Sequence, residues 1–231
     1  DVVLSEKIKC TTNMKEALKD SEMVLMSVPT SAFVSVIKQL NDNLDHKIII
    51  VNTAKGFETN SSDRLSNTIR KYLSPSKRSE VVSLIGPGHA EEVIVRDLTC
   101  VTATSLDKEL AKFVANTFSN HYFRVYINSD EIGGEIAVAM KNAIAIASGI
   151  LEGLNYGDNA RAALCTRGLA EIVRLGTALG GKANTFLGLT GIGDLVVTCY
   201  SLNSRNFMAG LEIGKNNSSK KFLEHNTKTV E

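Results

Sequence analysis

Met23-Val24-Leu25-Met26-Ser27-Val28 is a run of strand length with almost no polar interruption, and Pro29 closes it. A strand that is apolar along its whole length, rather than at every second residue, is one covered on both faces, as in parallel sheets. The same unit recurs. Helical patterns occupy residues 14–21 before the run and 31–40 after it; Lys47-Ile48-Ile49-Ile50-Val51-Asn52 is a second buried strand, followed by the loop Thr53-Ala54-Lys55-Gly56-Phe57-Glu58. A third round comprises a polar helix over 62–73, the loop Ser74-Pro75-Ser76 and the strand Val81-Val82-Ser83-Leu84-Ile85, which ends in Gly86-Pro87-Gly88. Helices alternating with buried strands predict a doubly wound α/β sheet. Ligands of such sheets bind outside the carboxyl ends of the strands. The loops after Val28, at Lys55 and over 86–90 are therefore expected to share one edge.

Residues 99–104 and 122–127 read as two further strands around a helix over 106–119. From Asp130 the pattern turns helical: 135–153, then 158–179 with Asp158-Asn159 as cap and Gly180-Gly181 as stop, then shorter pieces after Gly193-Asp194 and after Ser204. A boundary near Ser129 divides the chain into an α/β domain, 1–129, and a helical domain, 130–231. No repeat or low-complexity segment appears, although 216–221 is polar enough for a mobile loop.

With 231 residues, 43% hydrophobic and 22% charged, the chain can bury a full core. Lys plus Arg (26) balances Asp plus Glu (25), and without a basic block there is no electrostatic footprint for nucleic acid or a membrane surface. Cys10, Cys100, Cys165 and Cys199 are far apart and form no C-x-x-C pair, which predicts free thiols in a reducing compartment and neither a metal knuckle nor a redox dithiol. The longest apolar run is too short for a membrane span and no signal peptide opens the chain, so a cytosolic protein is expected. Asp1 in place of a methionine, and a stop at Glu231 after a polar stretch, suggest a fragment.

Within IAVAMKNAIAIASGIL, residues 136–151, Lys141, Asn142 and Ser148 are the only polar side chains. A helix apolar nearly all round is buried, and no carboxylate of its own helix sits one turn from Lys141. An ammonium there either finds a partner elsewhere or loses its proton, unless it lies at the stripe's edge and snorkels to water. Burial that lowers a lysine pKa towards about 7–8 suits proton transfer. Asp194, between the turn Thr190-Gly191-Ile192-Gly193 and the apolar run Leu195-Val196-Val197, either caps a helix or points inward as the partner of Lys141. Asn203-Ser204-Arg205-Asn206 opens another helix and reads as a phosphate seat or as an ordinary cap. Lys55-Gly56 either reaches over the sheet edge to a ligand or is solvated. His89 in Gly86-Pro87-Gly88-His89-Ala90 reads as a hydrogen-bonded wall residue rather than a catalyst. There is no Ser/His/Asp constellation, metal-spaced His cluster, P-loop or intact G-x-G-x-x-G.

Together these residues resemble the NAD(P)-dependent sn-glycerol-3-phosphate dehydrogenases of bacterial type, over essentially the whole chain. The resemblance rests on Val28-Pro29 after a strand, Asn52-x-x-Lys55-Gly56, Gly86-Pro87-x-His89-Ala90-Glu91-Glu92, Glu135 with Lys141-Asn142, and Gly157-Asp158-Asn159. It continues through Thr166-Arg167-Gly168-Leu169-Ala170-Glu171, Gly191-Ile192-Gly193-Asp194-Leu195 and Ser204-Arg205-Asn206. It implies a Rossmann-type, dinucleotide-binding domain followed by an all-helical substrate domain, with the active site between them and NAD or NADP as cofactor. Lys141 matches the family's catalytic lysine, with Asp194 tuning it and Lys55 and Asn142 polarising substrate oxygens. Ser204, Arg205 and Asn206 would hold the phosphate and nearby hydroxyls, and Gly86 and Gly88 would line the substrate. Val28, Pro29, Lys55, Ala90, Arg205 and Glu231 fall to the cofactor.

Two departures are expected to matter. Gly88 stands where the family usually has serine or threonine, and the family's first strand, its glycine-rich loop and its segment beyond Glu231 are missing from this chain. The resemblance implies a small phosphorylated substrate and a role in phospholipid precursor supply. A broad apolar helical face, if exposed, would favour a homodimer. The competing readings are a related lysine-dependent hydroxyacid dehydrogenase and a truncated, non-catalytic module.

Overall fold

The computed structural model describes residue 3 and residues 5–225. Among these residues, five strands form one sheet in the order β1 (Met23–Met26), β2 (Ile48–Asn52), β3 (Arg78–Ile85), β4 (Thr99–Thr104) and β5 (Phe123–Asn128). Around it lie α1 (Met14–Leu18), α2 (Thr30–Asn43), α3 (Leu65–Tyr72), α4 (Ala90–Ile94) and α5 (Lys108–Phe118). Strand β2 explains the apolar runs. Ile48 and Ile50 point to one face, where they join Phe33, Ile37 and Leu40 of α2 and Leu65 and Ile69 of α3. Val51, one residue out of phase, points to the other face and joins Val82, Val101, Val125 and Val114 of α5. Both faces are covered by helices, the doubly wound arrangement that the uninterrupted apolar strands predict.

Strands β1, β2 and β3 are parallel, so the loops that follow them do share an edge. Two features differ from the sequence reading. Strand β4 runs antiparallel to β3, and β5 is parallel to β4, making the sheet mixed. The β3–β4 connection holds only the five-residue α4, so the chain turns back at the edge instead of crossing over, and residues 86–91 stay beside the other two loops. Strand β1 pairs only with β2 among the described residues, and Leu25 is 47% exposed rather than covered.

After Asn128 the chain continues as α6 (Glu131–Gly153), α7 (Asp158–Ala178), α8 (Ala183–Phe186), α9 (Asp194–Tyr200), α10 (Arg205–Asn216) and α11 (Ser219–His225). Helix α6 is the centre of this half. Its N-cap Asp130 accepts from Gly133 N through Oδ1 and from Lys182 N through Oδ2, tying the helix start to the α7–α8 connection. It begins four residues earlier than its apolar stripe suggests, which places Lys141 nearly three turns inside. By length and composition α6 could cross a membrane, but here it is packed among α7, α9 and α10. Gly157, not Asp158, is the N-cap of α7; Asp158 is its first helical residue and pairs with Arg161.

Candidate active site

The second of the three loops at the sheet edge is held by a local contact and is bonded to the third. Asn52 braces the second: its Oδ1 accepts from Ala54 N at 3.1 Å and its Nδ2 donates to Ala54 O at 3.2 Å, so the loop leaves β2 in one direction and carries Lys55 over the edge. Lys55 Nζ donates to the carbonyl of Gly86 in the third loop at 3.1 Å and to Asp194 Oδ2 at 2.9 Å. Asp194 arrives from the helical half. A π-helical turn, Leu189–Gly193, runs straight into α9 and sets the aspartate as its first residue. A Cβ at Gly191 would fall inside the backbone of Phe186, so only glycine allows this path.

Asp194 therefore does not cap its helix with its side chain. It is 1% exposed and points inward, where Oδ1 lies 3.1 Å from Lys141 Nζ. The two lysines, one from each half, share the two oxygens of one carboxylate. Lys141 is itself 4% exposed; it neither snorkels nor lacks a partner. Burial pushes its pKa down, the neighbouring Lys55 charge pushes further, and Asp194 opposes both, leaving it lowered to about 8. Thr198, one turn after Asp194, completes the setting. Its hydroxyl accepts from Lys141 Nζ at 2.5 Å and donates to the Asp194 carbonyl at 2.5 Å. Sequence reading passed over Thr198, although its spacing of four from an inward-facing aspartate on a helix was the available signal.

These groups lie at the floor of a cleft of about 490 Å³. Val28, Pro29, Lys55, Gly88 and Ala90 line it from the sheet half, and Lys141, Asn142, Asp194, Ser204, Arg205 and Asn206 from the helical half. Gly86 is not in the wall; it contributes the carbonyl that Lys55 holds. Glu231 lies outside the described residues. Gly88 has room: an added Cβ would meet Thr99 Cγ2 at 3.5 Å and Val101 Cγ1 at 3.6 Å, ordinary contacts. His89 lines the cleft but does not match the expected hydrogen-bonded wall residue, because its Nε2 is buried without a partner among the described residues.

Ser204 is the N-cap of α10, accepting from Phe207 N at 3.2 Å, and its hydroxyl hydrogen is not used in that bond. Arg205 is exposed at the first turn. A helix start with a serine hydroxyl, an amide side chain and a guanidinium suits a phosphate. On the opposite rim, Val28, Pro29 and Ala90 offer an apolar surface, and α2 has Pro29 as its N-cap residue and so no side-chain cap. An apolar wall beside an uncapped helix start fits the aromatic ring and phosphate of a nicotinamide nucleotide.

Fold and cleft together define a Rossmann-like α/β protein with a helical second half and a buried lysine–aspartate centre between them. Comparison with known proteins sharpens that class. The family models described as the N-terminus and the C-terminus of NAD-dependent glycerol-3-phosphate dehydrogenase match residues 1–111 and 130–231. A protein of Streptococcus uberis named glycerol-3-phosphate dehydrogenase (NAD(P)+) is 54% identical over 93% of this chain, and the chain spans 64% of that relative's length. The crystal structure of glycerol-3-phosphate dehydrogenase from Coxiella burnetii is 35% identical, with a TM-score of 0.91 over 98% of this chain and 68% of that one. A structure from Dunaliella salina, 19% identical with a TM-score of 0.88 over 99% of this chain and 41% of that one, shares the fold. This chain belongs to the NAD-dependent glycerol-3-phosphate dehydrogenase family.

Proposed function

We propose that the chain carries the catalytic centre of an enzyme interconverting sn-glycerol 3-phosphate and dihydroxyacetone phosphate with NAD or NADP, divided near residue 129 into a dinucleotide-binding and a substrate domain. The observation that carries this reading is the buried Lys141, lowered to about pKa 8 and held between Asp194 and Thr198 at the floor of a cleft whose far wall is the start of α10. A group with that pKa can take and give a proton near neutrality. When bound, the nicotinamide cofactor supplies the hydride acceptor or donor. Lys141, as the neutral amine, takes the proton from the substrate's C2 hydroxyl during oxidation; as the ammonium, it returns that proton to the carbonyl oxygen during reduction.

The other residues orient the substrate and stabilise charge. Lys55 and Asn142 polarise the reacting oxygen, and Asp194, bonded to both lysines, orients Lys141 and tunes its pKa. Ser204, Arg205 and Asn206 hold the phosphate, which distinguishes this substrate from an unphosphorylated hydroxyacid. The same reading places the enzyme in the cytosol, in the supply of phospholipid precursors, and as a homodimer, with Ile192, Val196 and Tyr200 as partly exposed apolar side chains on its helical face.

The test is oxidation of NADH and of NADPH with dihydroxyacetone phosphate, beside Lys141→Ala. Turnover is expected to fall by about 10²–10⁴ in the variant, and dihydroxyacetone without its phosphate should bind far more weakly. Equal use of the two ketones would reject the phosphate seat, and an active Lys141→Ala would reject the lysine's role. Because the neutral amine is the base, kcat/KM for oxidation should rise with pH through about 8. Gly88→Ser tests the vacant hydroxyl position: the side chain fits, and one gained hydrogen bond should lower the substrate KM about threefold.

A further inference from the structure

A buried ionic group larger than any other among the described residues lies outside the cleft, where α6 meets the start of α3. Glu131 and Glu135, one turn apart on α6, are both buried. Glu131 Oε1 accepts from Arg64 Nη1 and Arg70 Nη1, each at 2.9 Å, and its Oε2 accepts from Arg70 Nη2 at 2.6 Å. Glu135 receives a single guanidinium contact, Arg64 Nη1 at 2.8 Å on Oε2. Its Oε1 accepts from the backbone N–H of Ser66 at 2.9 Å and lies 3.4 Å from Ser83 Oγ of β3. Helix α3 has no side-chain cap of its own, so Glu135 caps it from the other half of the molecule. Glu80 of β3 faces the same group through Arg70, at 2.6 Å and 2.8 Å.

The hydroxyl of Ser66 decides how this cluster is charged. Ser66 Oγ lies 2.9 Å from Glu131 Oε1 and 2.7 Å from Glu135 Oε2, and it also accepts from Arg64 Nη1 at 3.2 Å. A serine hydroxyl has one hydrogen, so it cannot donate to two carboxylate oxygens. Both contacts are satisfied when Ser66 donates to Glu131 and Glu135 carries a hydrogen that it donates to Ser66. The proton belongs on Glu135, because Glu131 has three guanidinium bonds to its one. Charge then balances: Arg64 and Arg70 against Glu80 and Glu131. Burial drives the Glu135 carboxyl above its ordinary value against the bonds from Ser66, with the Glu131 charge adding to the rise. Burial also pushes Glu131 up, but the bonds from Arg70 and Arg64 outweigh it and leave that carboxyl below its ordinary value.

We propose that Glu135 is a positioning residue that, as a neutral carboxyl group joined to Ser66 and Arg64, fixes the register of α6 against the sheet half and so sets Lys141 opposite Lys55. The inference rests on the proposed role of Lys141. Lys141 lies six residues further along the same helix, about 9 Å. Lys55 lies in the segment that leads from β2 to Arg64 and α3. Glu135 thus ties the two backbone segments whose lysines meet at Asp194, and a slip between them would pull one lysine from its oxygen.

The full chain with Glu135→Gln, Glu135→Ala and Glu131→Gln separates the parts of this proposal. A glutamine has the shape of a protonated glutamate and keeps its donor to Ser66, losing only the acceptor for Arg64 Nη1, so Glu135→Gln should keep kcat clearly nearer to wild type than Glu135→Ala does. Glu135→Ala should lower kcat by about tenfold or more with little change in KM, and move the Lys141 titration midpoint, followed by NMR of isotope-labelled lysine, by about half a pH unit or more. Glu131→Gln, which removes a required charge, should do more damage than Glu135→Gln. In the infrared spectrum a carboxylic acid C=O band present in the wild type should vanish in Glu135→Gln. Absence of that band, or a Glu135→Gln as impaired as Glu135→Ala, overturns the neutral carboxyl. A Glu135→Ala that loses only thermal stability, with kcat and the Lys141 midpoint unchanged, overturns positioning. The infrared and NMR readings need no turnover, so they stand even if dihydroxyacetone phosphate proves not to be the substrate.

Discussion

Helix α6 is held in opposite ways at its two ends. Towards its C-terminus it meets α10 through glycines: a Cβ at Gly149 would overlap the Phe207 carbonyl, and one at Gly210 would overlap the Ile146 carbonyl, so the two backbones touch. Towards its N-terminus it meets α3 through Glu131, Glu135, Arg64, Arg70 and Ser66, all joined by hydrogen bonds. The glycine contact joins two helices of the same half and depends on shape. The polar contact joins the two halves and depends on direction, because hydrogen bonds specify angles that dispersion does not. Lys141 sits between the two contacts. The helix is pressed against its phosphate-seat neighbour by close packing and aligned with the sheet by charge.

Breaking the glycine contact should have the largest effect. Gly149→Val places a branched side chain against backbone that cannot retreat, and a loss on the order of 4 kcal/mol or more is expected, read as a large fall in Tm or failure to fold. Breaking the polar contact should cost less in stability. Glu131→Ala leaves Arg64 and Arg70 without their main acceptor, a loss of about 3 kcal/mol in urea denaturation. A much smaller loss would mean that water replaces the carboxylate and that the polar contact is not a lock.

The middle of the helix can be tested by pH. Lys141 has a folded pKa of about 8 against an ordinary 10.5, so the unfolded chain binds the extra proton between those values. Stability contributed by this group is present above 10.5 and is lost as pH falls to about 8. Relative to Lys141→Met, the wild type should therefore gain about 2–3 kcal/mol on going from pH 8 to 10.5. A flat difference would show that Asp194 and Thr198 compensate the buried charge in full. The smallest effect is expected at Ser148, whose hydroxyl donates to the Cys199 carbonyl at 2.8 Å: Ser148→Ala should cost about 1 kcal/mol, leaving that carbonyl unpaired inside the helical core.

Part of the site was legible because its chemistry clashes with its surroundings. A lysine in an apolar helix violates the local pattern, whereas the glycine-flanked aspartate and the serine–arginine–asparagine helix start read locally as ordinary caps and stand out only through the family resemblance; the structure brings all three to one cleft. Thr198 was not legible, since a threonine in an apolar helix looks like core. Arg64 and Arg70 looked like the polar face of an ordinary helix; only the approach of α6 turns that face into an interface. Strand direction was likewise hidden: apolar runs of the same kind form the parallel β2 and the antiparallel β4.

What the sequence by itself determined is the alternation of buried strands and helices, the change to helices after Asp130 and the presence of a lysine, Lys141, out of keeping with its apolar helix. Those properties follow from hydrophobic periodicity and from the cost of burying a charge, both readable within a few turns of chain. Only the tertiary structure decided that Asp194 faces inward, that it binds Lys55 as well as Lys141 across 139 residues of sequence, and that Glu135 caps a helix in the other half. A hydrogen bond depends on distances of a few tenths of an ångström between atoms whose separation along the chain sets no limit on their separation in space.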